Sequence, residues 1–265
     1  MYLLRKLLNL KLPQDSARSF KILILWLLKG VDAPPFLFSM YEKELIKYLE
    51  KFVSERRVKL FDEVLSYRTK YITLVLEDIY QPHNASAVLR TCDCLGIQEV
   101  NIIENRNKYS VNPDVALGAD KWLDMIKYNR SDNNTTEAFK NLRGKGYRIV
   151  ATTLHEGDEV SLDKFDINKG EIALVFGTEM HGLSKQAVDN ADEYLKIPML
   201  GFTESFNISV SAAIITYQLV KSLHESDIPW QLSENEKMLL KLNWLRKTIK
   251  RSELLEKKFI DMKSG

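Results

Sequence analysis

Between residues 72 and 222 short apolar runs alternate with stretches of helical spacing, and this alternation restricts the fold more than any other feature of the chain. Strands are expected over 72–76, 100–103, 122–128, 148–153, 172–176 and 194–197. Between them, helical patterns cover 85–95, 135–143, 184–190 and 208–222. Strands separated by helices must return in the same direction, so the expected architecture is α/β, a parallel sheet with helices on both faces. Ligands of such sheets gather at the carboxyl ends of the strands. The loops after Ile103, Thr153, Phe176 and Ile197 are therefore where chemistry is expected.

The flanks read differently. Over 44–66, Leu45, Leu49, Phe52, Leu60 and Val64 recur at helical spacing among Lys47, Lys51, Arg56, Arg57 and Lys59, an amphipathic helical segment assigned to residues 40–70. After the parallel-sheet domain of residues 71–225 comes a helical extension, 226–265. There Ser233-Glu-Asn-Glu236 has the form of a capping box, and Met238, Leu242, Leu245 and Ile249 mark one apolar face. Residues 1–39 form an extension set off by Pro34-Pro35, and Met40 is the expected native start.

Charge separates the same regions. The 265 residues carry a net charge of only +2, yet residues 1–39 hold six basic and two acidic side chains, and 237–263 hold nine and three. The middle of the chain is acidic in balance. Phosphate neutralisation needs clustered Lys and Arg, so nucleic-acid contact is expected mainly from the ends, with Arg246, Lys247, Lys250 and Arg251 as the candidates. A helix with an apolar seam and a basic outer face can equally serve protein docking alone.

Several classes are excluded early. Cys92 and Cys94 stand too close to staple distant elements, and His83, His155, His181 and His224 show no zinc-ligand spacing, so neither a disulfide framework nor a metal centre is expected. The apolar run at 22–28 is far shorter than the ~20 residues that span a bilayer, and no cleavage site of a signal peptide follows it. A cytoplasmic protein without a membrane anchor is expected.

Three stretches stand out for chemistry. Phe176-Gly-Thr-Glu-Met-His-Gly-Leu-Ser184 joins a strand to a helix with the glycine spacing of a phosphate loop, but Leu183 occupies the lysine position and Glu179 adds a carboxylate. Polyphosphate is disfavoured there. Gly177 and Gly182 still permit close backbone approach to another kind of ligand. A second stretch runs from Ile197-Pro-Met-Leu-Gly201 to Ser205-Phe-Asn-Ile-Ser209, where Ser205 and Asn207 crowd a helix start and either cap it or serve a site. The third, Gln81-Pro-His-Asn84 through Arg90, places an Arg within an otherwise apolar helix, fit for an ion pair or for a phosphate clamp.

Taken in order, Asn84 to Arg90, 176–184 and 197–207 resemble the three motifs of the SPOUT RNA methyltransferases of the TrmH type. The resemblance covers about 71–223. Gln81-Pro-His-Asn84, Asp120-Lys-Trp122 and the helical C-terminal extension are most similar to the tRNA guanosine-18 ribose 2′-O-methyltransferases. Phe206 departs from the pattern, standing where Leu is usual; either forms an apolar wall.

What the resemblance implies is a trefoil-knotted sheet, a homodimer, a tRNA substrate and S-adenosylmethionine as methyl donor. It implies contacts to that donor from Thr152, Leu154, Gly177, Gly182, Ile197, Met199 and Phe206, with no metal. It also assigns Arg90 to activation of the ribose hydroxyl, opposite the partner's donor site, with Glu179 and Asn207 shaping the site and Asn84 and Ser205 assisting. A guanidinium stays protonated, so Arg90 is expected to act electrostatically and not as a base. The alternatives are a sister enzyme acting on ribosomal RNA and an RNA-binding protein without catalysis.

Overall fold

A computed structural model describes residues 35–131, 133–152, 159–178 and 181–264. The expectations for 1–34, for Leu154 and for Glu179 lie outside the described residues. The chain divides into two compact units, one containing residues 67–231 and the other 35–66 together with 232–264.

In the larger unit the elements are β1 (Ile72–Glu77), α1 (Pro82–Cys94), β2 (Glu99–Ile103), α2 (Pro113–Ala116), β3 (Asp124–Tyr128), α3 (Asn134–Gly144), β4 (Arg148–Thr152), β5 (Glu159–Ser161), β6 (Ile172–Phe176), α4 (Lys185–Asp189), β7 (Glu193–Lys196) and α5 (Ile208–His224). The described strands form one parallel sheet of order β3-β2-β1-β6-β4-β7-β5. The α/β architecture expected from the alternation is therefore present. All six residues of β1 and all five of β6 are buried, as a central strand covered on both faces requires.

The pleat of β1 sorts its side chains onto two layers. Ile72, Leu74 and Leu76 enter a core with Val88 and Leu89 of α1 and Ile215 and Leu219 of α5. Val75 points the other way, into a core with Ile149, Val175, Phe139 and Leu142 of α3, and Ala187 of α4. Pairing sets Ile72 opposite Ile172 and Leu76 opposite Phe176, which brings the end of β1 beside the end of β6.

Expected boundaries shift in physically simple ways. Helix α1 starts at Pro82, with Gln81 at its N-cap, so Asn84 lies inside the first turn and not at the helix start. The strand expected over 122–128 begins at Asp124 because residues 119–121 form a 3-10 turn first. Edge strand β5 was not expected, since three residues carry no periodicity to read. Cys92 is buried in the core, whereas Cys94 is exposed; both are free.

A buried latch fixes the entry to β1. Arg68, only 1% exposed, pairs with Asp93 at the end of α1 and donates to the Ile97 carbonyl at 3.3 Å. Thr69 N–H donates to the Gly96 carbonyl at 2.9 Å, and Gln98 N–H returns to the Thr69 carbonyl at 2.9 Å. Gly96 must turn with φ of 76° while passing so near the chain that a Cβ there would lie 2.3 Å from the Tyr67 carbonyl oxygen.

The smaller unit contains α6 (Pro35–Glu50), α7 (Glu55–Ser66), α8 (Glu234–Thr248) and α9 (Ser252–Ser264). The segments assigned above to separate N- and C-terminal pieces pack here as one unit. The single amphipathic stretch of 44–66 is interrupted near Ser54, and the second helix buries Phe61 and Leu65 while Phe52 and Leu60 are exposed. Re-phasing after the break moves the apolar stripe by one residue. Trp244 is 1% exposed and packs its ring 5.5 Å from that of Phe61. Lys241 bridges Glu50 at 2.7 Å and Asp62 at 2.6 Å. The capping box is formed, Ser233 accepting from Glu236 N–H while the Glu236 carboxylate accepts from Ser233 N–H at 3.0 Å.

Because a Cβ at position 96 is opposed by backbone and by positive φ together, Gly96→Ala should lower unfolding free energy by about 2 kcal/mol or more in urea titrations.

Candidate active site

The carboxyl ends of β4, β6 and β7 and the first turns of α5 surround a cavity of about 420 Å³. Thr152, Gly177, Gly182, Ile197, Met199, Ser205 and Phe206, seven of the residues nominated from sequence, line it. Each arrives there for a local reason. Thr152 ends β4 and donates its hydroxyl to the Val175 carbonyl at 2.8 Å, which ties β4 to β6 at the rim. Ile197 follows β7 directly, and Pro198 ends strand pairing by lacking an N–H.

Backbone geometry shapes the loop after β6. Thr178 N–H donates to the Gly182 carbonyl at 2.9 Å, and Gly182 N–H donates to the Thr178 carbonyl at 3.0 Å. This reciprocal pair folds the loop onto itself. A Cβ on Gly177 would lie 2.2 Å from the Gly182 carbonyl carbon, and Gly182 itself turns at φ of 64°. The glycine spacing noticed in the sequence is therefore explained by close backbone approach and a left-handed turn. Ser184 caps α4 by accepting from Ala187 N–H at 3.1 Å.

The stretch after β7 meets the first turn of α1 through two amides. Asn207 caps α5, its side-chain oxygen accepting from Ser209 N–H at 2.9 Å and from the Ser209 hydroxyl at 2.6 Å. Its side-chain N–H donates to Asn84 Oδ1 at 3.2 Å, and Asn84 Nδ2 donates to Gln81 Oε1 at 3.2 Å. Capping and site building are here the same interaction. Asn84 is buried at 5% exposure, which locks the amide orientation.

Arg90 is placed elsewhere. It is exposed on α1 and lines a separate open groove with His83, Ala87, Asp114, Ile214 and Tyr217. In a single chain it does not reach the cavity wall. No described acidic residue forms an ion pair with it, so the ion-pair reading of this Arg is not what the structure shows.

The basic candidates lie on the last turn of α8 and in the break after it. Arg246 spends its guanidinium on Glu256, with Nε at 2.8 Å and Nη2 at 2.9 Å, and this pairing raises its pKa further. Its planar fork faces Glu256 within the unit, yet the side chain stays exposed. Lys247, Lys250 and Arg251 are exposed, the last with φ of 57° at the break between α8 and α9.

Sequence reasoning missed Thr178, His181, Lys196 and Ser211 in the cavity wall. The first two stand inside a motif already singled out; Ser211 could have been found one turn along α5 from Ile208. Also missed was the polar belt at the ends of β1 and β2. Asp78, at φ of 53°, accepts three N–H groups from Asn105, Arg106 and Asn107 at 2.7, 2.8 and 3.3 Å. Glu104 is pulled below the usual carboxylate range: its burial acts upward but is outweighed by hydrogen bonds from Asn129 and Tyr109 N–H and by Lys127.

The described residues contain no cluster of metal-ligating side chains and no helix long and apolar enough to cross a membrane.

Comparison with known proteins places this arrangement. The model of the SpoU rRNA methylase family matches residues 71–217. A tRNA (guanosine(18)-2′-O)-methyltransferase of Borreliella burgdorferi is 43% identical over 211 residues, covering 80% of this chain and 94% of the relative. One from Thermus thermophilus is 36% identical over 165 residues, 62% of this chain and 82% of its own length. Among solved structures, the Aquifex aeolicus TrmH/SpoU tRNA modifying enzyme superposes with a TM-score of 0.66 at 30% identity, over 74% of this chain and 98% of that one. The parallel sheet, the three motifs at its carboxyl edge and this match across more than half the sequence together establish that the chain belongs to the SpoU rRNA methylase family.

Proposed function

We propose that this protein transfers a methyl group from S-adenosylmethionine to the 2′-hydroxyl of a ribose in tRNA, at guanosine 18. The observation that carries the proposal is the convergence of Gly177, Gly182, Ile197, Met199, Phe206 and Thr152 on one cavity whose wall is mixed in polarity. Apolar groups from Leu195, Ile197, Met199, Phe206 and Ile215 suit a flat purine, and backbone at Gly177 and Thr178 suits its polar edge. The names of the relatives from Borreliella and Thermus support the tRNA nucleotide.

Bound S-adenosylmethionine would supply an electrophilic sulfonium methyl group, so no metal is required for activation. Thr152, Leu154, Gly177, Gly182, Ile197, Met199 and Phe206 would hold it. The protein's own task is to orient the ribose and stabilise charge that develops on its oxygen. Arg90 serves this as a fixed cation, holding a neighbouring phosphate and favouring the alkoxide. Asn84 and Asn207, already bonded to each other, keep α1 and α5 aligned beside Ser205, and Glu179 is proposed to shape the same site.

Arg90 lies outside the cavity of its own chain, and the reading therefore includes a homodimer in which it completes the partner's site. The groove that holds it supports this: Ala213, Ile214 and Tyr217 of α5 line it, and Tyr217 is 60% exposed. Covering such a face with a second copy removes apolar surface from water. The knotted threading and a cytoplasmic location implied by the resemblance belong to the same proposal. Arg246, Lys247, Lys250 and Arg251 are the proposed tRNA contacts of the helical unit.

Incubation with labelled donor and unmodified tRNA should label the ribose of guanosine 18, and label in ribosomal RNA alone would overturn the choice of substrate. Arg90→Ala should bind S-adenosylmethionine normally yet transfer methyl about 10²-fold or more slowly; near-normal turnover would defeat its assignment. Tyr217→Asp should sediment as a single chain, still bind the donor and lose transfer, whereas full activity as a monomer would exclude the shared site.

A further inference from the structure

Glu77 ends β1, the central strand, and is buried at 2% exposure. Among the described residues no Lys, Arg or His forms an ion pair with it. A buried charge is tolerated only when hydrogen bonds replace its water, and here the donors come from two other parts of the chain. Thr135 of α3 donates its hydroxyl to Oε1 at 2.6 Å. Ser184 donates twice, its hydroxyl to Oε1 at 2.8 Å and its N–H to Oε2 at 2.9 Å. Asn105 Nδ2 in turn donates to the Thr135 hydroxyl at 2.8 Å, so that hydroxyl is directed toward Glu77.

Ser184 closes the loop that begins at Gly177. At one end this loop is continuous with β6, which the sheet holds; at the other it has only the short α4. The pair Thr178–Gly182 fixes the loop's internal shape, but not where its end sits relative to the sheet. The two-pronged grip on Ser184 fixes that position, referring the loop to β1 itself. Gly177, Thr178, His181, Gly182 and Leu183 all line the cavity, so displacement of Ser184 would move one whole wall.

We infer that Glu77 is a positioning residue for the donor site: its buried carboxylate anchors Ser184 and thereby sets the cavity wall that grips S-adenosylmethionine. The inference rests on the proposed reading of that cavity. Glu77 reaches neither the donor nor the RNA, and its influence passes through the loop. Glutamine is the informative replacement, since it keeps the volume but cannot accept from both prongs, its amide N–H₂ facing a donor.

Calorimetric titration of S-adenosylmethionine into the full chain tests this. Glu77→Gln and Ser184→Ala should each raise the donor Kd about tenfold, the loss expected for a hydrogen bond to a buried charge, and the double variant should add little to either alone. The KM for the donor should rise by more than kcat falls, with tRNA affinity in filter binding within about twofold of the parent. Lys185→Ala, which breaks only the exposed pair with Asp189, is the neutral control. If Glu77→Gln does not fold, Ser184→Ala decides alone. A folded Ser184→Ala protein that binds the donor as tightly as the parent overturns the inference, as does equal loss of donor and tRNA affinity. Failure of the parent chain to bind the donor would overturn the proposed function and this inference together.

Discussion

Pairing of β1 with β6 is the contact on which the rest of the larger unit depends. It sets Ile72 beside Ile172 and Leu76 beside Phe176 in parallel register, so two segments remote in sequence end side by side. Everything with chemical potential hangs from those ends. Beyond β1 lie Glu77, Asp78 and the turn into α1; beyond β6 lies the glycine loop. A slip of one residue would exchange the faces of β6, turning Leu174 and Val175 into each other's layers and separating Glu77 from Ser184.

Polar groups at this edge are held to an unusual degree by one another. Asn207 caps α5 and also meets Asn84; Ser184 caps α4 and also meets Glu77; Thr152 ends a strand and also bonds its neighbour's carbonyl. Each side chain satisfies a backbone need and a site need with the same atoms. Such double use reduces the conformational freedom left to be lost when a ligand binds, which is the physical content of preorganisation. It also explains why capping and function could not be told apart at Asn207 from the sequence.

The smaller unit follows a different logic. Its helices are joined by aromatic packing at Phe61 and Trp244, by Phe259 against Tyr48 at 5.2 Å, and by Lys241 spanning two acids. Lys241 is driven to a higher pKa by those two hydrogen-bonded carboxylates, which outweigh the opposing effect of burial. Of the nine basic side chains in residues 237–263, Arg246 is thus paired internally with Glu256, Lys263 with Glu44, and Lys241 with Glu50 and Asp62. A count of charges does not reveal which are already paired.

Local physics alone determined the alternation of strands and helices, the capping box at Ser233, the glycines of the loop and the three stretches worth inspecting, because periodicity, capping and left-handed turns act over a few residues. Tertiary structure decided the rest. Strand order, the break near Ser54, the joining of residues 35–66 with 232–264, the separation of Arg90 from its own chain's cavity and the grip of Glu77 on Ser184 all depend on contacts between residues far apart in sequence. Such contacts depend on burial and register, which belong to the folded chain as a whole and leave no periodic trace along it.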